Sequence, residues 1–212
     1  MVTWVDLEIR CSSLLHLKEL LVIEGMNIVF LLQKIKLKNV SSLNVQYIDR
    51  ERPTVIEDGF CYDNNLFENC PDWVNVQGYF QTEKYFKHIE KEIREDFEFK
   101  DEILEPCKEM IEGIEDPISL HVRRTDYITN PNHTALDIDY YTNALKEFDS
   151  DATVLVFSDD PEWCSEQELF SDDRFLIAEG NSNYVDMCLM TLCSGHIIAN
   201  SSFSWWGAWL SN

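Results

Sequence analysis

The chain has 212 residues, 17 basic and 39 acidic, and its net charge of -22 repels polyanions, which excludes nucleic acid and anionic membrane as general partners. An apolar content of 45% with 12% aromatics belongs to a globular protein of one large or two small domains. An anionic ligand therefore needs a local basic site, whereas a neutral sugar meets no such barrier.

In chain order, residues 1–50 carry no chemistry-bearing motif; Leu14 to Leu21 is predicted as a helix and Asn27 to Leu32 as a strand. The apolar stretch Leu20 to Leu32 is short and broken by Glu24, Gly25 and Asn27, so it does not span a bilayer. With no secretory signal, a cytoplasmic or membrane-peripheral location is expected. Residues 51–82 are predicted to be irregular. From Thr82 a helical pattern runs through Tyr85, Phe86, Ile89, Ile93 and Phe97, and a second piece holds Ile103, Cys107 and Ile111, limited by Pro106.

After Gly113 short apolar runs alternate with helical ones. Strands are predicted at Ile118 to Val122, Val154 to Phe157, Phe175 to Ala178 and His196 to Ala199. Helices are predicted at Asp139 to Phe148, Pro161 to Phe170, Asn183 to Cys193 and from Ser201 or Ser202 onward. Such alternation implies right-handed βαβ units and a parallel sheet, so the fold class is α/β. The seven cysteines are odd in number and form no C-x-x-C, which points to buried thiols in a reducing compartment. No His/Cys cluster has zinc-finger spacing, and no structural metal is expected.

In a parallel sheet the carboxyl ends of the strands share one edge, where open α/β sheets bind ligands. The first strand delivers His121, Arg123, Arg124 and Asp126 there, the second Ser158-Asp159-Asp160, the fourth Asn200-Ser201-Ser202-Phe203-Ser204 at a helix start. Free N–H groups, a positive dipole end and serine hydroxyls make a phosphate cradle. An arginine opposite could clamp a diphosphate without a metal. Taken singly, each piece is ordinary: an Arg pair is usually surface charge, Asp159-Asp160-Pro161 a helix cap, Ser201-Ser202 another cap. Their joint arrival at one edge is what points to a nucleoside-diphosphate site.

The stretch His121-Val122-Arg123-Arg124-Thr125-Asp126-Tyr127 resembles the H-x-R-R-x-D motif of α-1,2- and α-1,6-fucosyltransferases. Ile198 to Leu210 (IANSSFSWWGAWL), Phe157-Ser158-Asp159-Asp160 and Gly78 to Phe86 (GYFQTEKYF) are similar to motifs of the α-1,2 group, glycosyltransferase family 11. The resemblance implies a GT-B-type fold, GDP-β-L-fucose as donor, inversion at the anomeric carbon, no cofactor, and a galactose-terminated glycan acceptor fucosylated at its 2-hydroxyl. It assigns Arg123 to the diphosphate, with His121 and Arg124 lining the same pocket and Asp126 holding the arginines in place. Asp186, 15 residues before Ser201, takes the position of a guanine-reading aspartate. Ser201 and Ser202 meet the phosphates, and Asp159 matches a site aspartate. For the general base, Asp126, Asp137 and Asp139 are the nearby carboxylates, and none is singled out.

On this basis residues 117–212 form a Rossmann-like GDP-fucose domain, and 1–116 a remnant of the acceptor-side domain with linking helices. The family's G-G-x-G-N-Q-x-F-Q loop is not found in residues 1–51, and the pattern continues beyond Asn212. A fragment is expected, truncated at both ends, with donor binding surviving better than catalysis. Two alternatives stay open: a catalytically impaired GDP-sugar-binding fragment, and an acidic α/β scaffold with no nucleotide site.

Overall fold

Four predicted strands lie side by side in the computed structural model, which describes residues 8–9, 53–71 and 74–211. The chain divides into two compact units, 1–98 and 99–212. The predicted elements at Leu14 to Leu21 and Asn27 to Leu32 lie outside the described residues.

The first unit holds a small sheet in the order β1-β3-β2. Strand β1 (Glu8–Ile9) runs antiparallel to β3 (Val74–Gln77), and β2 (Thr54–Ile56) runs parallel to it. Helix α1 (Asn64–Asn69) crosses between β2 and β3, its first turn capped by Asp63, which accepts from the Leu66 amide at 2.8 Å. This corrects the expectation of irregular structure over 51–82.

The apolar face predicted from Thr82 onward is present: Tyr85, Phe86, Ile89, Ile93 and Phe97 are all buried. The backbone is not one helix. It forms 3-10 turns at Glu83–Tyr85 and Lys87–Ile89 and then α2 (Glu90–Asp96), because Phe86 and Ile89 leave helical geometry at φ -135° and -120°.

The buried Glu57 organises this unit. One carboxylate oxygen accepts from the amides of Tyr79 and Phe80 at 2.7 and 2.8 Å, and the other from the Tyr85 hydroxyl at 2.8 Å. Three bonds of this kind need close approach of the backbone, and Gly78 supplies it. A Cβ there would lie 2.5 Å from the Glu57 Cβ and 2.6 Å from its Oε2. Gly78→Ala is therefore expected to destabilise the protein by about 1–3 kcal/mol, the usual range for overpacking, read as a lower urea midpoint. An unchanged midpoint would show that Glu57 moves aside freely.

In the second unit α3 (Asp101–Met110) precedes the sheet and runs through Pro106, which was expected to limit it. The proline removes one helix hydrogen bond, yet Cys107 on the next position is buried, its thiol 3.9 Å from the Val185 carbonyl. Packing against the helix that carries Val185 outweighs the lost bond.

The second sheet contains β4 (Ile118–Val122), β5 (Val154–Ser158), β6 (Phe175–Ile177) and β7 (Gly195–Ile197), all parallel in the order β6-β5-β4-β7. The fold is thus α/β, and these are the first four strands of the doubly wound 3-2-1-4 order. Every residue of β4 is buried, as a central parallel strand requires. Ile118, Leu120 and Val122 join Val154, Val156 and Ile197 in one core with Tyr141, Leu145, Cys164 and Phe170. Each such side chain contributes about 1.5–3 kcal/mol of transfer free energy.

The connecting helices are α4 (Thr125–Thr129), α5 (Ile138–Ala144), α6 (Pro161–Ser165), α7 (Asn183–Thr191) and α8 (Ser202–Leu210). Asp137 caps α5 and Asp160 caps α6, accepting from the amides of Tyr140 and Trp163 at 2.9 and 3.2 Å. Helix α5 runs on into a 3-10 turn, Leu145–Glu147, so that predicted span holds, whereas α6 ends at Ser165 and an extended Gln167 separates it from the 3-10 turn Glu168–Phe170, which breaks the helix predicted from Pro161 to Phe170. Among the described residues, no helix is long and apolar enough to cross a membrane.

Candidate active site

In the order β6-β5-β4-β7 the direction of strand succession reverses between β4 and β7, and the carboxyl edge at such a switch point is where open α/β sheets hold their ligand crevice. The β4 end supplies one wall. His121 is 5% exposed and its ring lies 5.4 Å from that of Phe203, in the first turn of α8. Burial pushes its pKa down to about 4, opposed by the Asp159 charge and helped by Arg123, so the imidazole is neutral at pH 7. Its buried Nδ1 makes no hydrogen bond among the described residues. An unpaired buried polar atom is costly.

The two arginines diverge. Arg123 is braced by two carboxylates, Nη2 lying 2.6 Å from Asp126 Oδ1 and Nη1 3.1 Å from Asp159 Oδ2, while its guanidinium stands 5.5 Å from the Tyr127 ring. It keeps 32% of its side chain in solvent. Arg124 turns the other way: its guanidinium lies 3.8 Å from the centroid of Trp163, and its Nε donates to Asp160 Oδ2 at 3.2 Å. Asp126 thus meets Arg123 and not Arg124.

Asp159 is the hub. It accepts from the Arg124 amide at 2.9 Å, from the Thr125 amide at 3.2 Å and from the Thr125 hydroxyl, besides pairing with Arg123. Burial alone would raise its pKa. The Thr125 hydroxyl, the Arg124 amide and the Arg123 charge together outweigh burial and hold it below the ordinary value.

The opposite wall is the start of α8. Ser201 caps the helix, accepting from the Phe203 amide at 3.3 Å, and the half-buried Ser202 is the first helical residue. Two tyrosines tie the walls together. Tyr127 donates to the Asn200 carbonyl at 3.1 Å and Tyr140 to the Ile198 carbonyl at 2.6 Å. Since Tyr127 also sits beneath Arg123, one aromatic ring separates that guanidinium from the residue preceding the α8 cap.

Asp186 lies apart from this cluster, in the first turn of α7 after β6 and so at the same sheet edge. Burial raises its pKa, opposed by a hydrogen bond from Asn181 Nδ2 at 3.0 Å. Asn181 also lines a cavity of about 260 Å³ walled by Ile114, Leu155, Phe157 and Leu176. The structure therefore brings His121, Arg123, Asp126 and Asp159 together at the β4 end, ties them to the start of α8 with Ser201 and Ser202 through Tyr127 and Phe203, turns Arg124 to Trp163 and Asp160, and sets Asp186 apart, bonded to the cavity-lining Asn181.

Trp163, Thr125, Tyr127 and Tyr140 do positional work that their sequence positions did not single out. Tyr127 closes the H-x-R-R-x-D stretch, and that adjacency was the available signal.

A parallel four-stranded sheet with connecting helices, and a braced arginine and a serine-capped helix start at its carboxyl edge, defines an α/β protein of the doubly wound class. Residues 61–212 match glycosyl transferase family 11, and the chain belongs to that family. It is 42% identical over 163 residues to an alpha-1,2-colitosyltransferase of Escherichia coli, covering 71% of this chain and 56% of that protein. Identity to the O-antigen biosynthesis glycosyltransferase WbnK of Escherichia coli is 35% over 130 residues, 54% of this chain and 43% of the relative. Identity to galactoside alpha-(1,2)-fucosyltransferase 1 of Bos taurus is 25% over 159 residues, 66% of this chain and 44% of the relative. The chain spans about half the length of these curated relatives.

Proposed function

We propose that the protein is an inverting, metal-independent glycosyltransferase of GT-B type that moves L-fucose from GDP-β-L-fucose to the 2-hydroxyl of a terminal galactoside. The observation that carries this reading is Arg123, held between Asp126 and Asp159 and linked to the start of α8 through Tyr127, whose ring lies 5.5 Å from the guanidinium and whose hydroxyl bonds the Asn200 carbonyl. A guanidinium aimed in advance at the diphosphate meets charge as it develops on the leaving group, and the helix start adds N–H donors and a positive dipole end. His121, neutral and packed against Phe203, backs the same pocket. Ser201 and Ser202 lie where phosphate oxygens would meet the helix, and Arg124 acts from beneath by fixing the Asp159-Asp160 turn.

For the base, the carboxylate of Asp186 suits both N1–H and the exocyclic amine of guanine, with the apolar cavity beside Asn181 matching a purine face. In the reaction the acceptor oxygen attacks C1 from the face opposite GDP. Colitose is a second candidate for the transferred sugar, favoured by the 42% identity to a colitosyltransferase.

Incubation with lactose and either GDP-fucose or GDP-colitose, with and without EDTA, tests the proposal, alongside calorimetry with GDP. The expected result is an α-1,2-linked product from one donor, at a rate that EDTA does not change. GDP binding without transfer would favour a non-catalytic GDP-sugar-binding role. Absence of GDP binding would leave only an α/β scaffold.

A further inference from the structure

A transfer to a hydroxyl needs a group to take its proton, and most acids near the crevice are committed elsewhere. Asp126 and Asp159 are paired to Arg123 at 2.6 and 3.1 Å, and a proton on either would break the brace that aims it. Asp137 caps α5 through the Tyr140 amide at 2.9 Å. His121 is buried beneath the crevice, 5% exposed.

His133 stands differently. It is exposed, in the loop between α4 and α5, with its ring stacked on Tyr127 at 4.6 Å between centroids and 12° between planes. Tyr127 is the ring beneath the Arg123 guanidinium, and its hydroxyl holds the Asn200 carbonyl. The next residue, Thr134, accepts from Asn200 Nδ2 at 2.9 Å, so the loop is fastened to the residue just before the α8 cap. An imidazole is thereby fixed on the rim of the crevice, one ring from Arg123, with solvent access for an acceptor. Tyr127 stacks on it, Arg123 and Asp126 follow behind Tyr127, and Asp137 and Asp139 come next along the chain, at the start of α5.

We infer that His133 is the general base of the transfer, an inference that rests on the transferase reading above. The acceptor hydroxyl gives its proton to the free imidazole nitrogen as its oxygen forms the bond to the anomeric carbon. The bond from that carbon to the diphosphate oxygen breaks on the opposite face, and its electron pair leaves with GDP toward Arg123. The imidazolium then releases the proton to water. Imidazole suits this work because it takes up and yields a proton near neutral pH.

The test is the pH–rate profile of transfer to lactose for His133→Phe and Asp139→Asn in the full chain, with GDP binding measured in parallel. Phenylalanine keeps a ring on Tyr127 and removes the accepting nitrogen. His133→Phe is expected to lose on the order of 10²-fold in kcat and the acid limb of the profile, with GDP affinity retained, while Asp139→Asn keeps both. Wild-type kcat and profile in His133→Phe, or loss of the acid limb in Asp139→Asn instead, would overturn the assignment while leaving the transferase reading intact. A wild type that transfers neither sugar overturns both.

Discussion

Replacing Arg123 with alanine is expected to reduce kcat/KM for sugar transfer by on the order of 10³-fold and to abolish measurable GDP binding. The size follows from the local charge. Two guanidiniums, Arg123 and Arg124, face three carboxylates, Asp126, Asp159 and Asp160, so the cluster is already one charge negative. A diphosphate is tolerated there because Arg123 is aimed at the crevice and the start of α8 adds donors. Without Arg123, Asp126 and Asp159 are left facing the incoming anion with nothing between. Arg123→Lys keeps the charge and loses the planar fork that two carboxylates hold, so it should recover only part of the activity. Folding should change little, since partly exposed ion pairs contribute about 0–1 kcal/mol. Calorimetry with GDP, steady-state rates and urea midpoints on the same samples separate these effects. An alanine variant that binds GDP as the wild type does would remove Arg123 from the donor site.

The second sheet was legible because its strands are short apolar runs with polar ends. Ile118 to Val122 and Val154 to Phe157 can hardly be anything else when helical patterns lie between them, and parallel pairing then fixes which ends converge. The same logic fails in the first unit. Thr54-Val55-Ile56 is three residues long and leaves Ile56 63% exposed, while α1 buries only Leu66. Neither gives a periodic signal. Glu57 is the extreme case: a glutamate next to Asp58 and Gly59 reads as a surface turn, and its burial comes from the amides of a segment more than 20 residues away. Pro106 misled for a related reason, since tertiary packing of Cys107 overrides a local penalty.

At the site, the motif was visible but the division of labour within it was not. Adjacent arginines have opposite strand-end directions, yet sequence does not say which one meets Trp163 and which meets Asp126. That choice depends on where α6 presents its first turn. The capping reading of Asp160 and the ligand-site reading of the Arg pair turn out to describe one object. One Asp160 oxygen caps α6 while the other receives Arg124.

Asp159→Asn should be the next most damaging change, and its effect should depend on pH in a defined sense. The wild-type carboxylate orients Arg123, the Arg124 amide and Thr125 together, and misplacing Arg123 by about 1 Å is enough to cost on the order of 10²-fold in rate. The stability loss at neutral pH should be about 1 kcal/mol, kept small because the side chain retains 20% of its exposure. The folded pKa of Asp159 lies below the ordinary 3.8, so its contribution is fully present above the unfolded value and is lost as pH falls through the folded one. The gap between wild type and Asp159→Asn in urea midpoint should therefore persist from neutral pH down to about 4 and close below it. His121 adds an acid loss to both proteins, the larger in Asp159→Asn, which lacks the charge that opposes burial. The His121 pKa falls from 6.5 to about 4 on folding, so the unfolded chain gains a proton first and both lose stability across that interval. A gap that stayed open in strong acid would mean that the asparagine acts by shape alone, and the charge on Asp159 would then have no part in aiming Arg123.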